Sequence, residues 1–376
     1  MGGVAVAGLG VAVTASNADP TSTESIKQQL DALDKRVTQM ESQQASNAKK
    51  PLTEPGTGLI ISLGEALIDF LPRPLQGEVG YLPRCGGAPF NVCLTTARLG
   101  APTAFLSHIS SDLFGDKICN LLAENGVNLD LVKRVPQPTT LAFVDLQGDE
   151  PQYAFFFENA ADRTLTPELL PAIPPTTEAI HLSMGAITLE AQVSGAFRTL
   201  LAREKDRVFT SFDPNIRDMM IPDATKYRSV VLQDIALFHL VKVSKADLEY
   251  LYGIPNLSQS QLDEIAKDWL SKGPSVVLIT QGGESILAYR PSSSFSVGLT
   301  PVKVKDAVGA GDSFMGAMLV ALRKRGGLVP GALSQVSDAD LRSDMQFAAR
   351  VAATTCTREG ADPPSAQEMG WENKRE

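Results

Sequence analysis

Residues 305–314, KDAVGAGDSF, hold the spacing in this chain most suited to chemistry. Gly309 and Gly311 flank Ala310, and Asp312 follows at once, ahead of FMGAMLVALRKR, an apolar run that reads as a helix. Glycines let backbone N–H groups approach an anion with no Cβ in the way. The helix start adds partial positive charge, so the turn suits a phosphate or a transferring phosphoryl group. An aspartate at such a place, taken alone, reads first as a helix-capping residue. The surrounding chain has to decide between cap and catalyst. A Walker-type GxxxxGK[ST] loop and the protein-kinase motif set are both missing from the sequence, which excludes those two nucleotide sites.

The elements that would position this turn alternate. LIISLG reads as a buried strand, NVCLTTARLG as a helix ending at Gly100, TAFLSHI as a strand and FGDKICNLLAENG as a helix stopped by Gly126. EAIHLSM, RVFTSFD, ALFHLVKVS and SVVLITQ are further strands, separated by helical stretches such as LEAQVSGAFRTLLARE and LDEIAKDWLSKG. This succession implies an open, mostly parallel sheet covered on both faces. TLAFVDL and YAFFF are two extended runs with no room for a helix between them, which predicts a small additional sheet acting as a lid. Ligands of such sheets collect at the carboxyl ends of the strands, where the GAGD turn would lie.

The chain has 376 residues, a formal net charge of −9 and an acidic pI near 5.1, which argues against binding a nucleic-acid backbone. Cys85, Cys93, Cys119 and Cys356 form no CxxC pair, and His108, His181 and His239 are scattered, so neither a zinc site nor a disulfide framework is expected. A reducing, cytoplasmic setting follows. Residues 1–23 are small and apolar but lack a basic n-region and are too short for a membrane span; they read as a disordered tail. Within 24–45, Ile26, Leu30, Leu33, Val37 and Met40 recur at steps of four and three, the seam of a short coiled-coil-like helix for self-association or a protein partner. A linker spans 46–58, a globular domain is expected over 59–365, and a polar tail over 366–376.

DAVGAGDSF resembles the signature D-T-[TV]-G-A-G-D-x-F of the ribokinase, or PfkB-type, carbohydrate kinases. The likeness runs from about 59 to 365: ISLGEALIDF resembles the first strand of that family, CGGAPFNVCLTTARLGAP its N-terminal signature, and SHISSDLFGDKI its GxDxFG segment. FDPNIR, VKVSKADLEYLYG, ITQGGESILAY and CTREGADPP then follow in the family's order. The resemblance implies a ribokinase-like α/β three-layer sandwich with a mostly parallel central sheet and a small β-sheet lid.

It also implies roles. Asp312 would be the base for a sugar hydroxyl, with Gly309, Ala310 and Gly311 as the anion hole for the phosphoryl group. Asp69, Gly86, Gly87, Asn91, Asp162 and Arg163 match sugar-side positions, while Asn215 and Arg217 of FDPNIR are expected to order the neighbouring loop. Ser244, Thr280, Gly282, Gly283 and Gly360 match the nucleotide side, with the adenine between Ala349 and Gly360. Lys242, Ser244 and Asp247 occupy the K-x-N-x-x-E motif linked to magnesium and phosphate, but Ser replaces Asn and Asp replaces Glu. Asp306 and Asp247 are the candidates for indirect Mg2+ contact beside ATP.

GEALIDFLP, GGAPFNV and AADRTLTPELLP look most like fructokinases, which phosphorylate D-fructose at the 6-hydroxyl. Ribose and 2-keto-3-deoxygluconate kinases are the enzyme alternatives. A kinase-fold scaffold tethered through the N-terminal helix is the alternative of another class.

Overall fold

A computed structural model describes residues 58–371 apart from 76, 146–151, 184–190 and 222. The expected tail over 1–23, the helix over 24–45 and all of the linker but Gly58 lie outside the described residues.

The described residues lead into β1 (Leu59–Leu63), then a long hairpin, β2 (Leu67–Leu75) and β3 (Glu78–Gly86), before α1 (Ala88–Arg98). β4 (Thr103–Ser110), α2 (Leu113–Glu124) and the short β5 (Val132–Val135) follow. β6 (Thr140–Asp145) and β7 (Gln152–Phe156) pair antiparallel, as their closeness in sequence predicts. The α/β succession then resumes with β8 (Thr177–Ser183), α3 (Ala191–Glu204), β9 (Phe209–Asp213) and α4 (Ala224–Asp234). It continues through β10 (Leu240–Ser244), α5 (Lys245–Tyr252), α6 (Gln259–Lys272) and β11 (Val276–Thr280). A hairpin, β12 (Ser285–Tyr289) and β13 (Ser294–Gly298), precedes α7 (Ala310–Lys324) and α8 (Asp338–Cys356).

Among the described residues the large sheet has nine strands in the order β13-β12-β11-β10-β9-β8-β1-β4-β5. It is parallel from β5 to β11, and β12 and β13 continue it antiparallel. Burial on both faces explains the unbroken apolar runs of its inner strands. Ile60 and Ile61, adjacent on β1, enter different clusters because successive side chains leave opposite faces. Ile61 belongs to the cluster that holds Phe197 of α3, Tyr227 of α4 and Trp269 of α6, whereas Ile60 belongs to the one that holds Met318 of α7 and Met345 of α8. The result is the expected three-layer arrangement.

The second sheet, in the order β3-β2-β6-β7, is the lid. Its larger half, the β2–β3 hairpin, is not among the strands read from the sequence. Pro72, Pro74 and Pro83 interrupt the pattern, and a proline removes a ladder donor. The fold tolerates Pro72 and Pro74 because β2 pairs with β6 only over Leu67–Phe70, so beyond that point β2 has β3 alone as a neighbour. At the other end, Ala366 N–H donates to Arg98 O and Trp371 stacks on Phe347 with ring centroids 4.0 Å apart. The packed body therefore runs to Trp371, and the boundary expected at 365 falls inside this segment. No helix among the described residues is long and apolar enough to cross a membrane.

Candidate active site

The carboxyl-end regions of β9 and β10 reach the GAGD turn at the start of α7, through Asn215 just beyond β9 and Lys242 on β10. Gly309 is the residue before the helix and has φ 76, a left-handed conformation that glycine adopts without strain. A side chain there would also overlap Ala361. The first-turn amides divide into two sets. Ser313 N–H is satisfied by Gly309 O at 2.8 Å, and Ala310 N–H turns back to Ala307 O at 3.3 Å. The N–H groups of Gly311 and Asp312 donate to no described residue. N–H groups left open in this way at a helix start could receive an anion, whereas the Ala310 N–H is already engaged.

Asp312 is 5% exposed. Its Oδ2 accepts from Asn91 Nδ2 at 2.8 Å and its Oδ1 from Asn215 Nδ2 at 2.9 Å. Burial pushes its carboxyl above the ordinary range, while the Asn91 hydrogen bond, the Lys242 and Arg217 charges and the Asn215 bond pull it back. A buried carboxylate gripped by two amides is more than a cap, because Asp312 bonds no backbone N–H of its own helix.

Behind the turn, Lys242 of the K-x-N-x-x-E motif forms an ion pair with Asp213 of FDPNIR, a pairing the sequence did not reveal. Lys242 Nζ is 2.7 Å from Asp213 Oδ2, with the two side chains 6% and 0% exposed. A Cβ on Gly311 would come within 2.9 Å of that same Nζ. Gly311 therefore brings the backbone against a buried cation, which places positive charge directly beneath the free amides. Burial pulls the Lys242 ammonium down, but Asp213 by charge and hydrogen bond, with Asp247 and Asp312, holds it above its ordinary range, so it stays charged.

On the lid side, Asp69 sits on β2 opposite Arg84 and Ala142, partly buried. Burial raises its carboxyl to about 6. A side chain on Gly86 would overlap the Asp69 carboxylate, and one on Gly87, at φ 107, would meet Glu65 O at 2.8 Å. The two glycines thus make room for the acid and for the chain entering the lid. Asp162 is 7% exposed in the short turn Ala161–Arg163, where Thr140 Oγ1 donates to it at 2.9 Å; burial lifts its carboxyl to about 6. Arg163 lays its guanidinium over the Phe157 ring, 4.1 Å from the centroid. Glu65, between β1 and β2, went unread in the sequence. Burial first and Asp162 second raise its carboxyl to about 7, with Arg217, Arg163 and Asp312 also acting on it. It lies within electrostatic reach of Asp162 and Asp312, and only the fold reveals this.

The nucleotide-side positions are also at the strand ends. Ser244 closes β10 directly beside Thr280 at the end of β11, and Gly282, at φ 58, begins the following turn with Gly283 open to solvent. Ser244 and Asp247 form a reciprocal cap on α5: Asp247 N–H donates to Ser244 Oγ at 2.9 Å, and Ser244 N–H to Asp247 Oδ2 at 3.2 Å. Asp247 Oδ1 accepts from Ile216 N–H at 3.0 Å. Asp306 is engaged similarly, taking Val308 N–H at 3.0 Å on Oδ1 and Gly360 N–H at 2.9 Å on Oδ2. These two carboxylates brace the loops around the turn. Among the described residues no three His, Cys, Asp or Glu side chains group as metal ligands.

Comparison with known proteins gives a consistent result. Residues 58–368 match the family described as pfkB family carbohydrate kinase. The chain is similar to a fructokinase of Rhizobium leguminosarum bv. trifolii, with 35% identity over 287 residues, 76% of this chain and 86% of that one. Its structure is similar to that of a fructokinase from Xylella fastidiosa with bound ATP, at TM-score 0.74 and 29% identity, covering 83% of this chain and 97% of the other. A fructokinase from Vibrio cholerae O395 in a fructose-, ADP- and calcium-bound form aligns with TM-score 0.70 and 26% identity, over 81% and 95% of the two chains.

Proposed function

Because the chain belongs to the pfkB family of carbohydrate kinases, we propose that it is an ATP-dependent fructokinase that phosphorylates the 6-hydroxyl of D-fructose. One observation carries this reading: the buried Asp312 carboxylate stands beside the N–H groups of Gly311 and Asp312, which no described residue engages, with the Lys242 ammonium behind them. The fructokinases that it resembles support fructose over ribose or 2-keto-3-deoxygluconate, and a binding scaffold has no need of an acid beside an anion site.

In this reading Asp69, the Gly86–Gly87 turn, Asn91 and Asp162 hold the sugar under the lid, with Arg163 tuning the charge there. Ser244, Thr280, Gly282, Gly283 and Gly360 line the nucleotide side. The 6-hydroxyl oxygen attacks the γ-phosphorus in line, the bond to ADP breaks, and Asp312 takes the hydroxyl proton. The transition state is loose, with its charge spread over the phosphoryl oxygens, so alignment and fixed positive potential matter most. The amides of the turn and Lys242 supply that potential. Asp306 and Asp247, each already holding two backbone N–H groups, fit Mg2+ carried on the phosphates and reached through water rather than a protein cage. Such an ion supplies charge neutralisation at the phosphate oxygens. Residues 24–45 are retained as a docking or self-association segment on their heptad spacing alone, and the cytoplasmic setting on cysteine usage alone.

The test is ADP release with fructose, ribose and 2-keto-3-deoxygluconate for the wild type and Asp312→Asn. Turnover should be fastest with fructose, require magnesium, and fall by about 10³-fold in the variant. Equal background for both proteins on every sugar would overturn the enzyme reading.

A further inference from the structure

We propose that Asn215, locked by Arg217, is a positioning residue that fixes the plane of the Asp312 carboxylate and leaves Asn91 to meet the sugar. This rests on the reading of Asp312 as the base. The geometry distinguishes the two amides that grip the acid. Arginine carries only donors, so the Asn215 atom 2.5 Å from Arg217 Nη1 must be its carbonyl oxygen. The amide nitrogen is then forced toward Asp312 Oδ1, at 2.9 Å. A half-turn of the amide would set NH2 against guanidinium and a carbonyl oxygen against a carboxylate, two repulsive contacts in place of two bonds. Both polar atoms of the Asn215 side chain are thereby engaged within the protein, and its route to the substrate is through Asp312.

Its backbone is held just as firmly. Asn215 has φ 42, a left-handed conformation that asparagine tolerates better than most residues. Its N–H donates to the buried Asp213 carboxylate at 3.3 Å, and the next N–H, of Ile216, to Asp247 at 3.0 Å. Asn91 is different. Its Nδ2 also grips Asp312, but its Oδ1 is buried without a hydrogen-bond partner. A buried acceptor left open at the catalytic acid is suited to a substrate hydroxyl, since leaving it unmade is costly. One asparagine therefore aims the base and the other has capacity left for the sugar.

Two consequences separate this from a merely structural loop. A hydrogen bond to the carboxylate favours its charged form, so losing the Asn215 amide should raise the pH at which Asp312 becomes active. Because Asn215 does not touch the sugar, the loss should fall on kcat and not on KM.

The experiment is the pH dependence of kcat and kcat/KM for fructose in the wild type, Asn215→Gly, Asn215→Asp and Arg217→Ala. Asn215→Gly removes the amide while still allowing φ 42 without strain, so it separates the side chain from the backbone. It should retain the wild-type Tm and a fructose KM within about twofold, lose on the order of 10- to 100-fold in kcat, and shift the acid limb upward by about one pH unit. Asn215→Asp, which sets a second carboxylate against Asp312, should shift it further, and Arg217→Ala, which removes both the lock on Asn215 and a charge that itself lowers Asp312, should shift it upward at least as far as Asn215→Gly. A wild-type acid limb and kcat in Asn215→Gly would overturn the proposal, as would a loss confined to KM. Asp312→Asn and the double variant Asp312→Asn/Asn215→Gly tell which reading has failed. Wild-type turnover in Asp312→Asn sinks the base itself. An inactive Asp312→Asn together with an unaltered Asn215→Gly sinks only the positioning role.

Discussion

Replacing Lys242 by Met tests the charge beneath the turn and separates its two effects. The ammonium is 2.7 Å from Asp213 Oδ2, and the Asp213 side chain has no exposed surface. Once the cation is gone, the Asp213 side chain keeps, among the described residues, only the Asn215 N–H, at 3.3 Å. Breaking a buried pair by removing one partner costs about 3–5 kcal/mol, because the other charge stays behind without compensation. For a body spanning 58–368, about 4 kcal/mol corresponds to a fall of roughly 6 °C in Tm. The loss should depend on pH with a definite sign. Burial is the largest influence on the Asp213 carboxyl and Lys242 the largest opposing one, so the variant leaves burial to drive it upward. A carboxyl raised in the folded state keeps a proton that the unfolded chain releases, so stability falls as pH rises from about 4 through the raised value. Urea unfolding should therefore show a larger deficit at pH 8 than at pH 5. The double variant Asp213→Asn/Lys242→Met removes both charges and should regain stability to within about 1 kcal/mol of the wild type. Its kcat should stay low, because the positive charge behind Gly311 is still missing. Equal stability of Lys242→Met and wild type at pH 8, or no recovery in the double variant, would refute the reasoning.

Gly86→Ala would place a methyl group on the Asp69 carboxylate. It should raise the fructose KM about tenfold or more, the loss of a hydrogen bond to a charged group, with the ATP KM unchanged in steady-state assays. Asp162→Asn removes a carboxyl that burial holds at about 6, so at pH 8 the variant should be more stable than the wild type by on the order of 1–2 kcal/mol. The difference should shrink as pH falls through about 6 and vanish only below about pH 3, where both folded and unfolded states are largely protonated at this position; a constant difference in chemical denaturation across the range would contradict it.

Sequence alone determined whatever depends on short stretches of chain. The GAGD turn, the helices stopped by Gly100 and Gly126, and the buried strands carry their cause within a few residues: a left-handed glycine, an apolar period, a run too long to be exposed. Their order along the chain sufficed for the layered α/β architecture and for the acid placed at its glycine turn. The β2–β3 half of the lid was hidden because its prolines contradict the strand pattern, and only the local absence of a neighbour beyond Phe70 lets them stay. The tertiary structure alone decided the partners. Asn215 reaches Asp312 across 97 positions and Asn91 reaches it across 221, while Lys242 arrives under Gly311 from the end of another strand. The same closure occupied Asp247 and Asp306 with backbone amides and drew Glu65 within electrostatic reach of Asp162 and Asp312. Contacts of this kind arise where strand ends converge, and burial then sets their charge; neither the distance between distant residues nor their exclusion from water is written in local sequence.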